Sequence, residues 1–453
     1  MNLLPLMTHE SLGDIVAFRH GEAITVHQFL ADVAQLRSIL LPGQHILNIC
    51  RDRYRFMVGL AAAITADKIS LLPSTYTPET VSQLVRFAPD LFCLSDDDNN
   101  IDLPQLSFPA GIPVTAAARN LSIPLIPETL PVGYVFTSGS TGSPVPHLKT
   151  WGALIASVRA EALRLGLLDG RRYAVIGTVP PQHMYGFEST ILIVLQCGSI
   201  LSAPQHFYPA DICAELSSLP RPRLLVSTPI HLRALLGMHS PLPPVDLLVS
   251  ATAPLAQELA REAEIRFNAP LQEIYGSTET GQVATRRSAE TDEWVLLPDL
   301  RLTTEDGRVW ISGGHLEQAT ELGDKLEIIS DERFLLHGRT ADLVNIAGKR
   351  SSLAYLNHQL NSIPGVQDGV FFMPDEDSAG SVKRLIAFVV APELDTHSVY
   401  AQLRERIDPA FLPRPLQMID ALPRNSAGKL PRELLQLLVA AHIHKEEKGP
   451  GTP

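Results

Sequence analysis

YVFTSGSTGSPVPHLKTW, residues 134–151, starts as an apolar strand-like run and empties into small hydroxyl residues and glycines. Such a loop is suited to a phosphate chain. Thr137, Ser138, Gly139, Ser140, Thr141 and Gly142 offer backbone N–H groups free to converge, hydroxyls that can donate to anionic oxygens, and glycines that tolerate positive φ and close approach. Taken alone, the same composition also describes a Ser/Gly surface turn. The surrounding chain decides between the two.

Upstream, Ile15–His20 and Ala23–Val26 flank Gly21 and Glu22 as a hairpin. Thr25 with Gln28 then forms a capping-box pattern ahead of a helix carrying Phe29, Leu30, Val33, Leu36 and Leu40. His45–Cys50, Ile69–Ser74 and Phe92–Leu94 read as short buried strands with helical stretches between them, one opened by Thr77 and Pro78. Downstream of a Pro-rich connection and the opening loop come a helix from about Gly152 to Leu165 and a strand at Tyr173–Thr178. Further apolar runs at Ser189–Leu195, Leu224–Ser227 and Leu247–Ser250 are expected as strands. This alternation predicts a layered α/β fold with ligand loops at the turns after its strands. From Leu343 a compact run of helix, strand, strand, helix and strand predicts a small α+β domain, with the boundary at Arg339–Asp342.

Bulk properties remove several function classes. The 453 residues, 45% hydrophobic and 19% charged, are enough for two domains and a large core. The net charge of −12 is spread along the chain, which argues against a nucleic-acid surface. Cys50, Cys93, Cys197 and Cys213 are scattered singly, so neither a disulfide framework nor a CxxC metal site is expected. The N-terminus lacks a signal-peptide pattern and Phe56–Ala66 is too short to span a bilayer, which predicts a cytoplasmic protein without a membrane span. GxxxxGK[ST], GxSxG, HExxH and a usable GxGxxG are all missing from the sequence, which sets aside the chemistries they serve.

What remains is a set of motifs in one order: TSGSTGSP at 137–144, PPQHMYG at 180–186, SATAPL at 250–255, YGSTETG at 275–281, GD at 323–324, GRTAD at 338–342 and PRNSAGK at 423–429. Together they resemble the adenylate-forming superfamily of acyl-CoA synthetases, peptide-synthetase adenylation domains and luciferases, over roughly Val16 to Leu434. The resemblance implies a large N-terminal adenylate-forming domain of layered sheets and helices at 1–338, a hinge at 339–342, and a small mobile α+β C-terminal domain at 343–453. It further implies that a carboxylate attacks the α-phosphate of ATP, releases pyrophosphate, and passes from acyl-AMP to a thiol.

On that resemblance the residues of the opening loop hold the β- and γ-phosphates, Thr278 meets the α-phosphate and Glu279 binds magnesium. Tyr275 lies against the adenine, near Gly276 and Ser277, while the adenine edge meets the backbone of Ala251, Thr252, Ala253 and Pro254. Asp324 accepts from the ribose hydroxyls and Arg339 donates near the ribose or phosphate. His183 gates the carboxylate. Lys429 brings the catalytic cation, and its place on the small domain implies rotation about the hinge between two states.

The departures are informative. Where the family's loop usually runs into lysine, this chain has Val145, Pro146 and His147, and the lysine comes at Lys149. On a strand, residues 145, 147 and 149 share a face, so Lys149 or His147 is expected to reach the phosphates. Ala341 stands where the hinge usually carries an acid or lysine, with Asp342 next. Gly348, Lys349 and Arg350 are positioned to meet phosphates of CoA or of a phosphopantetheine arm. An amino-acid substrate would call for an aspartate after PQHMYG; Phe187 and Glu188 occur there, which favours an acid without an α-amino group, although Glu188 keeps the other reading open. The TGSPVPHLKTW variation is similar to compact ligases of aryl polyene and xanthomonadin-type pigment pathways, implying an aryl acid such as a hydroxybenzoate passed to an acyl carrier protein or CoA. A fatty acyl or other acyl-CoA ligase, and a non-catalytic nucleotide-binding scaffold, are the alternatives.

Overall fold

The computed structural model describes residues 2–73, 75–109, 121–138, 144–206, 208–339, 343–346, 349–374, 384–425 and 428–446. Two large sheets carry the first three-quarters of the chain. The six-stranded sheet runs, edge to edge, Pro144–Thr150, Pro131–Ser138, Ile69–Leu72, His45–Asn48, Phe92–Ser95 and Gln105–Ser107. Only Pro144–Thr150 is antiparallel to its neighbour. The eleven-stranded sheet has a parallel centre of Leu271–Ser277, Leu247–Ser250, Arg223–Ser227, Ala174–Gly177, Ile200–Ser202 and Ile15–Arg19. Antiparallel strands extend it at both ends.

The helix Arg53–Thr65 is buried nearly all round, with Tyr54, Phe56, Met57, Val58, Leu60 and Ile64 in the main core. A helix apolar on every face is stable only inside a large protein. Arg53, wholly buried, donates to the carbonyls of Gly177 (2.7 Å) and Val179 (2.5 Å), tying the helix to the strand end that leads to His183. Burial lowers its pKa to about 10. Capping agrees with the sequence: Thr25 and Gln28 close a reciprocal capping box, and Thr77 caps a helix with Pro78 in its first turn.

One element departs from expectation. Ser189–Leu195 is not a strand: Phe187–Leu192 is a π-helix and Ile193–Gln196 continues as α-helix, all of it buried. A short apolar run bounded by glycines fits a buried strand or a buried helix equally well, and periodicity cannot separate them.

Residues from Val344 onward build their own cores. One gathers Leu356, Leu360, Phe371, Val389 and Leu403, the other Val370, Phe372, Phe388, Leu422 and Leu435. Their strands Asp368–Phe372, Ile386–Val390 and Leu416–Met418 form a separate sheet, preceded by the hairpin Leu343–Ile346 and Lys349–Ser352, which sequence patterning did not anticipate. No helix among the described residues is long and apolar enough to cross a membrane. The four cysteines are free, Cys50 and Cys93 buried.

Candidate functional site

The opening stretch folds as a hairpin, Pro131–Ser138 against Pro144–Thr150, whose tip at 139–143 lies outside the described residues together with Gly139, Ser140, Thr141 and Gly142. The stem sets the faces. Thr137 pairs opposite Val145, and the alternation of a strand puts Val145, His147 and Lys149 on one side. On that side Thr137 Oγ1 and His147 Nε2 lie 2.9 Å apart, and Lys149 Nζ donates to the carbonyl of Glu279 at 2.9 Å. Burial pushes both pKa values down, against the pull of Glu188, Glu279 and Glu317 on Lys149 and of Glu279 on His147.

Glu279 belongs to the tight turn between the strands Leu271–Ser277 and Gly281–Arg286. Ser277 and Thr280 close it reciprocally: the Ser277 N–H donates to Thr280 Oγ1 and the Thr280 N–H to Ser277 Oγ, each at 3.2 Å. A Cβ on Gly276 would fall 2.3 Å from the carbonyl oxygen of Gly281, so the crossing admits only glycine. The turn leaves Thr278 half-buried and the Glu279 side chain exposed.

Earlier on the same strand, the Tyr275 hydroxyl donates to Asp324 Oδ2 at 2.5 Å. The phenol packs against Trp294 and Phe334, with ring centroids 5.7 and 5.8 Å away. Asp324 is paired across strands with Arg339, whose backbone alone is described. The segment Ala251–Pro254 comes after the C-terminal end of Leu247–Ser250, and Thr252 holds φ +77, a left-handed conformation uncommon for a β-branched residue. Just beyond, Leu255 N–H donates to buried Glu273, which also accepts from Arg286 and Ser288.

His183 stands at the N-cap position of the short helical turn Met184–Gly186 without a side-chain capping bond and is half-buried, its Nε2 without a partner among the described residues. Burial, and then the charge of Lys429, lower its pKa to about 4. Lys429 reaches this neighbourhood on a loop shaped by its own sequence. Asn425 and Lys429 exchange hydrogen bonds, and Arg424 clamps both Asp368 (2.7 and 2.8 Å) and the Gly428 carbonyl (2.9 Å). Gly428 holds φ +74, and a Cβ there would sit 3.3 Å from Ile230 Cγ2. The loop thus seats on the start of the helix Pro229–Leu236, while Arg233 from that helix donates to the Gln367 carbonyl at 3.1 Å.

Behind the 278–280 turn lies a buried polar group that the sequence reading touched only at Glu188. Ser157 donates to Glu188 at 2.8 Å, Ser189 to Glu161 at 2.7 Å, and Gln282 to Ser189 at 3.1 Å. Burial raises the pKa of Glu161 to about 8 and of Glu188 to about 7. Ser157 and Glu161 stand one helical turn apart on the buried face of an otherwise apolar helix, a signal readable in the sequence. Ala341, Asp342 and Gly348 lie outside the described residues, as do the side chains of Lys349 and Arg350.

The structure therefore groups Thr137, His147, Lys149, Thr278 and Glu279 on one side, Tyr275 with Asp324 and the Arg339 backbone on another, and His183 with Lys429 on a third. Solved structures share this fold. ATP-bound MatB from Rhodopseudomonas palustris superposes with a TM-score of 0.79 over 95% of this chain and 97% of its own, at 17% identity. The anthranilate CoA ligase AuaEII in complex with anthranoyl-AMP gives 0.80 over 98% and 99%, at 14% identity. In sequence, the 4-coumarate–CoA ligase of Rhodobacter capsulatus is 31% identical over 297 residues, 65% of this chain and 73% of that protein. The 4-hydroxybenzoate–CoA/benzoate–CoA ligase of Rhodopseudomonas palustris is 26% identical over 368 residues, 70% and 66% of the two chains. With residues 9–300 matching the AMP-binding enzyme family, the chain belongs to that family, the adenylate-forming superfamily of AMP-forming acid–thiol ligases.

Proposed function

We propose that this protein activates an aryl carboxylic acid, such as a hydroxybenzoate or hydroxycinnamate, with ATP to the acyl-AMP, and passes the acyl group to CoA or to the phosphopantetheine of an acyl carrier protein. The observation that carries this reading is the seating of the Lys429 loop on Ile230, with His183 in the field of that cation, in the chain that holds the Thr278–Glu279 turn. Displacement at phosphorus needs charge neutralisation and alignment more than covalent help. Lys429 supplies a cation between the acid and the α-phosphate. His183, kept neutral, leaves that position free of a second positive charge. Thr278 and Thr137 donate hydroxyls, and Lys149 with His147 take the place of the loop lysine. The Tyr275–Asp324 pair fixes the acceptor that receives the ribose.

The exposed Glu279 carboxylate fits a magnesium ion whose other ligands are phosphate oxygens and water, since magnesium is commonly bound through only one or two protein carboxylates. Bound there, the ion would neutralise charge on the polyphosphate; Glu279 would hold it. Residues 1–338 and 343–453 act as two domains, with 339–342 as the pivot that withdraws Lys429 when the thiol enters. Glu188, next to Phe187, supports an acid without an α-amino group: its carboxyl accepts from Ser157 and lies in the field of Lys149, so it is already engaged. The names of the similar ligases, 4-coumarate and 4-hydroxybenzoate, favour aryl acids.

The test is acid-dependent pyrophosphate release from ATP across hydroxybenzoates, cinnamates and fatty acids, with subsequent mass analysis of acyl transfer to CoA and to a carrier protein. Release with aryl acids is expected. A protein that binds ATP yet releases pyrophosphate with none of the panel is a scaffold, and one that prefers fatty acids overturns the aryl assignment.

A further inference from the structure

Two consecutive carbonyls of the 278–280 turn are held from behind by side chains of separate elements. Lys149 Nζ bonds the Glu279 carbonyl at 2.9 Å, and His315 Nε2 lies 2.8 Å from the Thr280 carbonyl. A carbonyl only accepts, so His315 carries its proton on Nε2 in this contact. Burial holds the ring neutral, its pKa lowered to about 4 with Lys149 adding to the effect, and Nδ1 is left buried without a partner among the described residues. An unpartnered buried nitrogen costs stability. An apolar side chain would fill the space without it, so the bond made by Nε2 is what the imidazole adds.

His315 is delivered by a turn that glycine alone can build. Gly313 (φ +85) and Gly314 (φ +53) precede it; a Cβ on Gly313 would lie 2.4 Å from the Asp299 carbonyl oxygen, and one on Gly314 would lie 3.0 Å from Leu300 Cδ2. Two residues on, Glu317 accepts from Thr150 Oγ1 at 2.8 Å, fastening the same strap to the end of the strand that carries Lys149. Gly281 (φ +68) lies between this ring and the buried carboxyls: a Cβ there would crowd Glu188 Oε1 at 3.1 Å and make ordinary contact with His315 Nε2 at 3.6 Å.

We infer that His315 is a positioning residue for adenylation: with Lys149 it fixes the peptide groups of Glu279 and Thr280, so that Thr278 and Glu279 keep one orientation toward the polyphosphate. The inference rests on the role proposed above for those two residues. Donors and charges aimed before the reaction stabilise developing charge without reorganising, and small misplacements are expensive.

The test compares His315→Gln, which keeps a donor near the Nε2 position, with His315→Leu, of similar size without one, in the pyrophosphate assay on the full chain. His315→Leu is expected to lower kcat by about ten- to a hundred-fold while the KM for the acid stays within about twofold, and His315→Gln to restore kcat to within about threefold of the parent. Equal loss in both variants assigns the residue to packing and overturns the inference, as does a His315→Leu enzyme with parental kcat. If His315→Leu does not fold, His315→Asn, whose amide falls short of the Thr280 carbonyl, must show the same kcat loss at parental Tm; parental turnover in it overturns the inference. Parent protein that releases no pyrophosphate with any acid fails the adenylation reading itself, whereas an active parent with indifferent variants fails only the role of His315.

Discussion

Lys429 and His183 come from distant parts of the chain, and the histidine's depressed basicity arises first from its burial and then from the charge of Lys429. Lys429→Ala is expected to lower acid-dependent pyrophosphate release by about 10²–10³-fold, the range for losing one preorganised charge-stabilising donor. Transfer of the acyl group from supplied acyl-AMP to thiol should be nearly retained, because the proposed rotation removes Lys429 from that step. Equal loss in both half-reactions would count against a role confined to adenylation. Lys149→Ala should raise the KM for ATP several-fold more than the KM for the acid, since its ammonium meets the Glu279 peptide and not the acid side; unchanged ATP dependence would sink its assignment. At this scale the sequence singled out Thr278, Glu279, Asp324 and Lys429 as candidates through motifs that stood in order. The Thr137–His147 contact was beyond it, because a cross-strand diagonal depends on hairpin register, which turn geometry sets.

The hairpin around 278–280 is the element on which the proposed site depends, and its tightness has a measurable consequence. Gly276→Ala places a methyl group against the Gly281 carbonyl with no flexible neighbour to give way. It should lower Tm and abolish most pyrophosphate release, whereas Gly21→Ala, strained at φ +80 but with nothing within 4 Å of its Cβ, should cost stability alone. Circular dichroism melts beside the assay separate the two. The elements legible in sequence were those with local chemical punctuation: the Thr25–Gln28 box, Thr77–Pro78 and the strands ended by small residues. The segment after His183 has the sequence of a strand but folds as a helix, because burial on all sides erases the periodicity that tells the two apart.

At the scale of the whole molecule, α/β layering was legible in the alternation of elements. The partition into six- and eleven-stranded sheets was not, since strand order is decided by packing between distant segments. The buried carboxyls where the layers meet give the protein a pH signature. Glu161 titrates at about 8 in the fold against about 4.3 when unfolded, so native protein retains a proton that the unfolded chain has lost between those values. The stability this contributes is complete below about pH 4 and is lost as pH rises through about 8, with Glu188 adding the same sign up to about 7. Tm should therefore fall from about pH 5 to about pH 8.5, and Glu161→Gln should flatten that fall; a parallel pair of curves would show that Glu161 is not its source.

The π-helix of Phe187–Leu192 has a consequence for how one segment serves two neighbourhoods. Its hydrogen bonds span one residue more than those of an α-helix, so it acts as a phase offset between the residues on its N-terminal side and those on its C-terminal side. His183 lies in the field of Lys429 on one side of that offset, while Glu188 and Ser189 reach Ser157 and Glu161 within it. Forcing the segment to α-helical pitch at its present length would turn one neighbourhood against the other by about 100°. The length of this stretch, counted to the residue, is thus as constrained as the identity of any side chain on it.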